Sequence, residues 1–423
     1  MKSAFDTILA AASVFLIAIA LSSCGEDAAN NANMAVADVP ASDGMRMAAL
    51  KRAVLANGFA RADSLAVPVS AAKRDAGKLI FSSPLMSLNG SISCQDCHLD
   101  QFGSTDGLPN AVGVGGTGVG PERLGSGGRI LPRNVLPFWG RGSKGFDTFF
   151  WDGKVTKVDG QVISQFGDGA PSGDPLVVAA HLPSVELLEM VADTPEVRAS
   201  IVSEEVSSAA QVQATLARRF ASDAAIGPRL AAAFALPRDK IGFEEVADAL
   251  ASFIRDEFRI RPTPLERFVF DDGPIGKRAL SGGILFYGRG KCAACHAGPY
   301  FSDFAFHAVA FPQAGFGKNG FGIDEGRYNV TLDPRDRFLF RTPPLYNVSK
   351  TAPYSHSGSL TRLEDAIVAH FDPLRLVDTG QMTPTERADL YTRLGPASRE
   401  ILPASLTNEE VRELVTFLRM LDF

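Results

Sequence analysis

The sequence predicts a mainly α protein with few short strands, organised as two similar domains. Three observations carry this. Apolar residues recur at helical spacing, as at Val246, Leu250, Phe253 and Ile254. Stretches that alternate apolar and polar residues, the mark of strands, are sparse. A pentapeptide, Cys94-Gln-Asp-Cys-His98, returns as Cys292-Ala-Ala-Cys-His296, each time after a similar segment: Ala76-Gly-Lys-Leu-Ile-Phe81 in one case, Ser281-Gly-Gly-Ile-Leu-Phe286 in the other. That is a repeat at the scale of a domain, not a short-period solenoid.

Cys-x-x-Cys-His is the attachment signature of c-type haem. Two thiols three positions apart each add to one vinyl group of the same porphyrin, and the following histidine supplies the proximal imidazole. Thioredoxin-like chemistry gives no reason for a histidine after each pair. A Cys₄ zinc site places its pairs about 15–20 residues apart, far closer than here. Cys94, Cys97 and His98 are therefore assigned to one haem c, and Cys292, Cys295 and His296 to a second. The fold class follows: two cytochrome-c-like haem domains packed face to face.

The chain has 423 residues, enough for two or three domains, with ordinary hydrophobic content and a formal charge of −6 that argues against a nucleic-acid partner. Lys2 precedes an apolar run from Ile8 to Leu21, short for a membrane span. The run ends in Leu21-Ser-Ser-Cys24, which resembles a bacterial lipobox and implies cleavage before a lipidated Cys24. An ordinary signal peptide cut nearby is the alternative, and both export the chain to the periplasmic side. The five cysteines then divide into one anchor and two haem pairs, with none left for disulfides.

Taken in order, residues 1–23 read as signal peptide and 24–69 as a tether with a short helix, Ser42-Asp43 capping it and Ala56 near its end. Residues 70–274 form the N-terminal haem domain. It opens with a helix from Ala71, a turn at Asn89-Gly90 and the first motif. The glycine-rich stretch over 103–128 lacks the strand and helix that a nucleotide loop needs, and reads as a loop wrapping the haem. Residues 184–260 are mainly helical in pattern. Arg261-Pro-Thr-Pro264 and Asp271-Asp-Gly-Pro274 break the chain, and residues 275–423 form the C-terminal haem domain. Near its end Thr407-Asn-Glu-Glu410 is a capping box opening a helix with Val411, Leu414, Val415 and Leu418 on its core face.

With both motifs, Phe149-Phe-Trp-Asp-Gly-Lys154, Glu189-Met190 and Thr351-Ala-Pro-Tyr-Ser-His356 in view, the sequence resembles the bacterial di-haem cytochrome c peroxidase superfamily, which includes the MauG-type enzymes. The resemblance implies that Trp151 couples the two haems, with Lys154 where the family usually has arginine. It implies Glu189 as the acid–base group that shuttles a proton between peroxide oxygens, a role a carboxyl in a partly apolar pocket can fill. The segment between Trp151 and Glu189 is longer than the family usually has. Gln161 matches the family's pocket amide, with Gln165 as substitute. Thr351 and the Pro353 carbonyl, with Asn134 as a third candidate, match an inter-domain calcium site of oxygen ligands.

No histidine lies between His98 and His181, so the first haem is expected to be five-coordinate and open to peroxide, as in the MauG branch. For the second, His370 is the expected sixth ligand and Met382 the alternative; the family places Met or Tyr there. His307 and His356 are read as interior hydrogen-bonding groups. The expected function is reduction of hydrogen peroxide by electrons from a small cytochrome c or cupredoxin, entering through the C-terminal haem. The alternatives are a MauG-like enzyme oxidising residues of a partner protein, and a non-catalytic di-haem electron carrier. A homodimer is compatible with all three.

Overall fold

The computed structural model describes residues 42–191, 206–313, 315–397, 400, 402 and 405–423, and the chain there is mainly helical. The expected signal peptide, the anchor at Cys24 and the tether over 25–41 lie outside the described residues. The helices that build the sites are α1 (Asp43–Ala56), α2 (Ala71–Phe81), α3 (Pro175–His181), α4 (Val206–Ser222), α5 (Phe243–Glu257), α6 (Lys277–Tyr287), α7 (Leu363–Ala369) and α8 (Asn408–Leu418). Among the described residues no helix is long and apolar enough to cross a membrane.

Two helix pairs repeat one packing solution. The first haem motif follows α2, which lies on α5; the second follows α6, which lies on α8. Each crossing is closed by a glycine. A methyl group on Gly77 would sit 1.9 Å from the Ala249 carbonyl oxygen, and one on Gly282 would sit 2.0 Å from that of Glu413. Four residues after each glycine a phenylalanine enters the core: Phe81 packs on Phe253 at 5.0 Å between ring centres, and Phe286 on Phe417 at 5.3 Å. The similar segments seen in the sequence are thus similar for a packing reason. Gly282→Ala is expected to force the helices apart and cost about 1–3 kcal/mol, as overpacked cores do. Gly276→Ala, with nothing within 4 Å of the added methyl, is the control. Thermal unfolding of the two variants checks this.

The periodicities also hold. Val246, Leu250, Phe253 and Ile254 are buried on α5. Thr407 caps α8, accepting from the Glu410 amide at 3.2 Å while the Glu410 carboxylate accepts from the Thr407 amide at 2.8 Å. Helix α1 is where the sequence put it, although the Ser42 side chain makes no cap bond. It is docked, not merely a spacer. Leu50 and Val54 are buried, Leu50 lies against Gly283 of α6, and Arg46 donates to Ser281 at 2.9 Å.

Strands are few and short. β1 (Thr148–Phe149), β2 (Val155–Val158) and β3 (Gln161–Ser164) form an antiparallel meander with Thr148 opposite Thr156 and Val155 opposite Ser164. β4 (Phe306–His307) pairs with β7 (Phe340–Arg341), and β5 (Phe316–Gly317) with β6 (Gly320–Phe321) in a small hairpin.

Candidate functional site: two cavities that share Trp151

Each Cys-x-x-Cys-His segment starts as a single turn of 3₁₀ helix, Cys94–Asp96 and Cys292–Ala294. In both, the histidine amide donates back to the carbonyl of the first cysteine, at 3.0 Å for His98 and 2.9 Å for His296. The turn thereby brings two thiols and an imidazole to one wall of a cavity. The four cysteines are free. His98 Nδ1 donates to the Ser104 carbonyl at 2.8 Å, and His296 Nδ1 to the Phe301 carbonyl at 2.9 Å. Ser104 (φ 67°) and Phe301 (φ 54°) are both left-handed, a conformation uncommon outside glycine. With Nδ1 committed, Nε2 is the nitrogen each ring offers a metal. Burial pushes His98 down to about 3 and His296 down to about 4, so both are neutral, as ligands must be.

The first cavity, about 530 Å³, is lined by Cys94, Cys97 and His98 on one side and by Trp151, Lys154, Glu186 and Glu189 elsewhere. The second, about 420 Å³, is lined by Cys292, Cys295, His296, His370 and again Trp151. Both volumes suit a cofactor. The residues fit two c-type haems: paired thiols, one neutral proximal imidazole and a largely apolar wall in each.

Trp151 and Asn134 border both cavities. The indole Nε1 donates to the Asn134 carbonyl at 3.0 Å, which fixes the ring plane. Trp139, the chain's other tryptophan, is instead a core residue, edge-on to Phe258 and Phe423. Asp152, next to Trp151, is fully buried and receives Arg133 at 2.5 Å; the same guanidinium holds Asp324 at 2.7 and 2.9 Å. This three-membered network locks the Trp151 turn to the 320s segment, and no local sequence signal announced it.

Glu189 lines the first cavity beside Lys154, Glu186 and Lys318. Burial, reinforced by the neighbouring Glu186 charge, pushes its carboxyl up to about 7. For Glu186 burial acts in the same direction, but Lys154, in direct contact, outweighs it and holds that carboxyl below its ordinary value. The two carboxyls are driven apart, the arrangement that separates a proton-carrying group from a fixed charge. Lys154 thus has a defined place: it pairs with Glu186 and lies over the Phe150 ring. Lys318 is a further cation at this wall, 3.9 Å from Asp152.

The position of Glu189 depends on the glycine-rich loop. A methyl group on Gly113 would meet the Leu188 carbonyl oxygen at 1.8 Å, and the Val114 amide donates to that carbonyl at 3.0 Å. The loop is cinched by buried Arg123, whose guanidinium donates to the carbonyls of Val112, Gly113 and Gly118. Gly113→Ala is expected to push Leu188 and Glu189 aside and lower turnover about tenfold to a hundredfold while leaving haem content intact. Steady-state rates beside a haem assay test it.

Gln161 is not brought to this site. It stands exposed on β3 opposite Val158, because the Asp159-Gly160 turn directs the hairpin outward, and Gln165 is exposed too. Met382 does not line the second cavity, whereas His370 does. His370 Nδ1 donates to the Ala366 carbonyl at 2.8 Å, leaving Nε2 free, and its ring centre is 6.3 Å from that of His296. A first-row metal about 2.0–2.1 Å from each of two imidazole nitrogens sets ring centres roughly 6.4 Å apart. His356 is an interior residue, stacked on Phe340 and bonded to Gln313 at 2.7 Å. His307 is only half-buried, held by Asp303 at 2.8 Å and by Glu400. His181 is buried against Phe243, with Nδ1 on the Val177 carbonyl.

Around the expected calcium position, the Asn134 side-chain amide donates to the carbonyls of Pro353 at 2.6 Å and Ser355 at 3.3 Å. The Thr351 hydroxyl donates to the Val348 carbonyl at 3.2 Å. In this arrangement the Pro353 and Ser355 carbonyls, the Asn134 amide and the Thr351 hydroxyl are all engaged in hydrogen bonds within the chain.

Comparison with known proteins gives a consistent picture. A family model described as di-haem cytochrome c peroxidase matches residues 71–272. The methylamine utilization protein MauG of Methylorubrum extorquens is 28% identical over 419 residues, 96% of this chain and 94% of that protein. The cytochrome-c peroxidase IdrP1 of Denitromonas iodatirespirans is 27% identical over 379 residues, 84% of this chain and 82% of that protein. The crystal structure of the diheme peroxidase BthA from Burkholderia thailandensis has the same fold, with a TM-score of 0.59 at 18% identity over 86% of this chain and 89% of that one.

Proposed function

As a member of the di-haem cytochrome c peroxidase family, which includes MauG-type proteins, the chain, we propose, reduces hydrogen peroxide with electrons from a small cytochrome c or cupredoxin. The observation that carries this is the first cavity, where a carboxyl raised to about 7 faces the wall that bears Cys94, Cys97 and His98. A haem held there by Cys94, Cys97 and His98 would supply the redox chemistry of peroxide reduction. Among the described lining residues His98 is the sole imidazole, which supports an open coordination position on the iron of that haem.

Glu189 is the proton carrier. Its carboxylate takes a proton from one peroxide oxygen and returns it to the other, so that the departing oxygen leaves as water. Lys154 and Glu186 hold a fixed pair beside it and keep the second carboxyl ionised. Trp151, bordering both cavities and pinned by the Asn134 carbonyl, is the aromatic link between them. His296 and His370, which line the same cavity, would hold the iron of the second haem, and that haem would supply electron transfer. Asn134, Pro353 and Thr351 mark a calcium site that would brace the Trp151 turn. Export, with anchoring at Cys24, belongs to the same proposal.

A second reading is oxidation of residues on a partner protein. It is favoured by the similarity to MauG over 96% of this chain. A non-catalytic electron carrier accounts less well for a carboxyl raised to about 7 at the cavity wall. The deciding experiment is peroxide consumption with a panel of small cytochromes and cupredoxins, read beside the spin state of each haem. Donor-dependent turnover with one high-spin haem is expected. Two low-spin haems, unresponsive to peroxide in oxidised and half-reduced protein, would make it a carrier.

A further inference from the structure

Three arginines line the cavities, and they are treated differently. Arg133 has Asp152 and Asp324 around it. Arg141 and Arg341 have no carboxylate partner among the described residues. Arg141 is 7% exposed, lines the first cavity and donates only to the carbonyls of Pro137 at 3.1 Å and Leu136 at 3.3 Å. Its guanidinium lies 4.6 Å from the ring of Phe138, which itself stacks on His98 at 3.7 Å. Arg341 is 2% exposed, lines the second cavity and donates through Nε to the Phe150 carbonyl at 2.8 Å. Its Nη1 is buried with no hydrogen-bond partner among the described residues.

Uncompensated buried cations are costly, and native structures pair them. Here burial lowers both groups to about 9, and the Arg341 charge lowers Arg141 further, so the two also repel. Carbonyl oxygens alone leave the fork of each guanidinium short of the planar two-oxygen partner it matches best. What each of these two guanidiniums lacks, among the described residues, is a carboxylate in contact with it; the charge that acts on Arg341 from further off is that of Asp152. Haem c brings two carboxylates on the porphyrin edge.

We propose that Arg141 and Arg341 are the anchoring sites for the haem carboxylates, Arg141 in the first cavity and Arg341 in the second. The Arg341 backbone amide also donates to the Trp151 carbonyl at 2.8 Å. The residue that holds the second haem's carboxylate is thereby fixed to the bridging tryptophan's turn. A fixed positive charge at each haem edge favours the reduced iron, so the two arginines are positioning groups that also set the two potentials.

The inference rests on the two-haem reading, and the test separates them. Haem content of the purified holoprotein below two per chain would sink that reading. With two haems present, Arg341→Gln and Arg141→Gln are titrated spectroelectrochemically, with resonance Raman of the propionate bending band. Each variant is expected to shift the one-electron equilibrium of its own haem about tenfold toward the oxidised form, a fall of about 59 mV. The propionate band of that haem should move as well, and the other haem should change less. Loaded variants with both potentials and both bands unchanged would overturn the proposal. If a Gln variant does not load its haem, the matching Lys variant keeps the charge and loses the fork. Its propionate band is then expected to shift, and a band identical to wild type overturns the proposal for that cavity.

Discussion

Glu189→Gln is expected to lower peroxide turnover about 10²–10⁴-fold, the range for removing a positioned proton carrier, with haem content and fold retained. The amide has nearly the same shape, so the loss is of proton transfer, not of packing. The pH dependence follows from the same group. Burial and the Glu186 charge raise the Glu189 carboxyl to about 7. The ionised form accepts the first proton, so turnover should fall as pH drops through about 7. The Gln variant should show a low rate with no such step. Stability carries the opposite sign. The folded chain keeps this proton at pH values where the unfolded chain, with a carboxyl near ~4.3, has lost it. The contribution is therefore fully present below about 4.3 and is lost as pH rises to about 7. Thermal midpoints measured across that interval should decline less in Glu189→Gln than in the wild type. An unchanged turnover in the variant would remove Glu189 from the chemistry and reopen the question of what serves the first cavity.

What could be read from the sequence was whatever chemistry or local geometry ties to fixed spacing. Cys94–His98 and Cys292–His296 were legible because two thioether bonds and one iron ligand admit little else. The α5 and α8 faces were legible from periodicity, and the Thr407–Glu410 cap from a four-residue pattern that both side chains satisfy. Trp151 was separable from Trp139 only by its neighbours in the Phe149–Lys154 motif. The failures share a cause: they depend on where a turn points or on residues far apart in the chain. Gln161 was misplaced because one hairpin turn carries it outward. Gly113 acts on Leu188, and Arg133 reaches Asp324 across 191 positions. Neither partner leaves a mark at the other's place in the sequence. Helix α1 was foreseen as a helix, but its docking on α6 depends on Gly283, where a side chain would fill the space that Leu50 occupies.

His370→Ala should change the spin state of the second site while leaving Cys292, Cys295 and His296 in place. His370 stands at the end of α7 with Nδ1 held by the Ala366 carbonyl and Nε2 free, facing the cavity that His296 also lines. The 6.3 Å between their ring centres is the separation that one iron between two imidazoles requires. Alanine removes the ring and leaves a hole in a wall formed by Phe371, Tyr354 and Ile367, none of which supplies a nitrogen. The second haem should therefore go from low spin to high spin, and added imidazole, small enough for the hole, should reverse the change. His370→Met is the informative companion, because a thioether in place of an imidazole raises the reduction potential. If His370 caps the electron-transfer site, the Met variant should stay low-spin at a higher potential. Donor-driven turnover in the Ala variant should then fall about tenfold or more, since a site that must rearrange its ligands on every electron transfer loses the advantage of a preformed one. An Ala variant whose spectrum matches the wild type would mean that another group holds the iron. The divided labour between an open first cavity and a closed second one would then need a different basis.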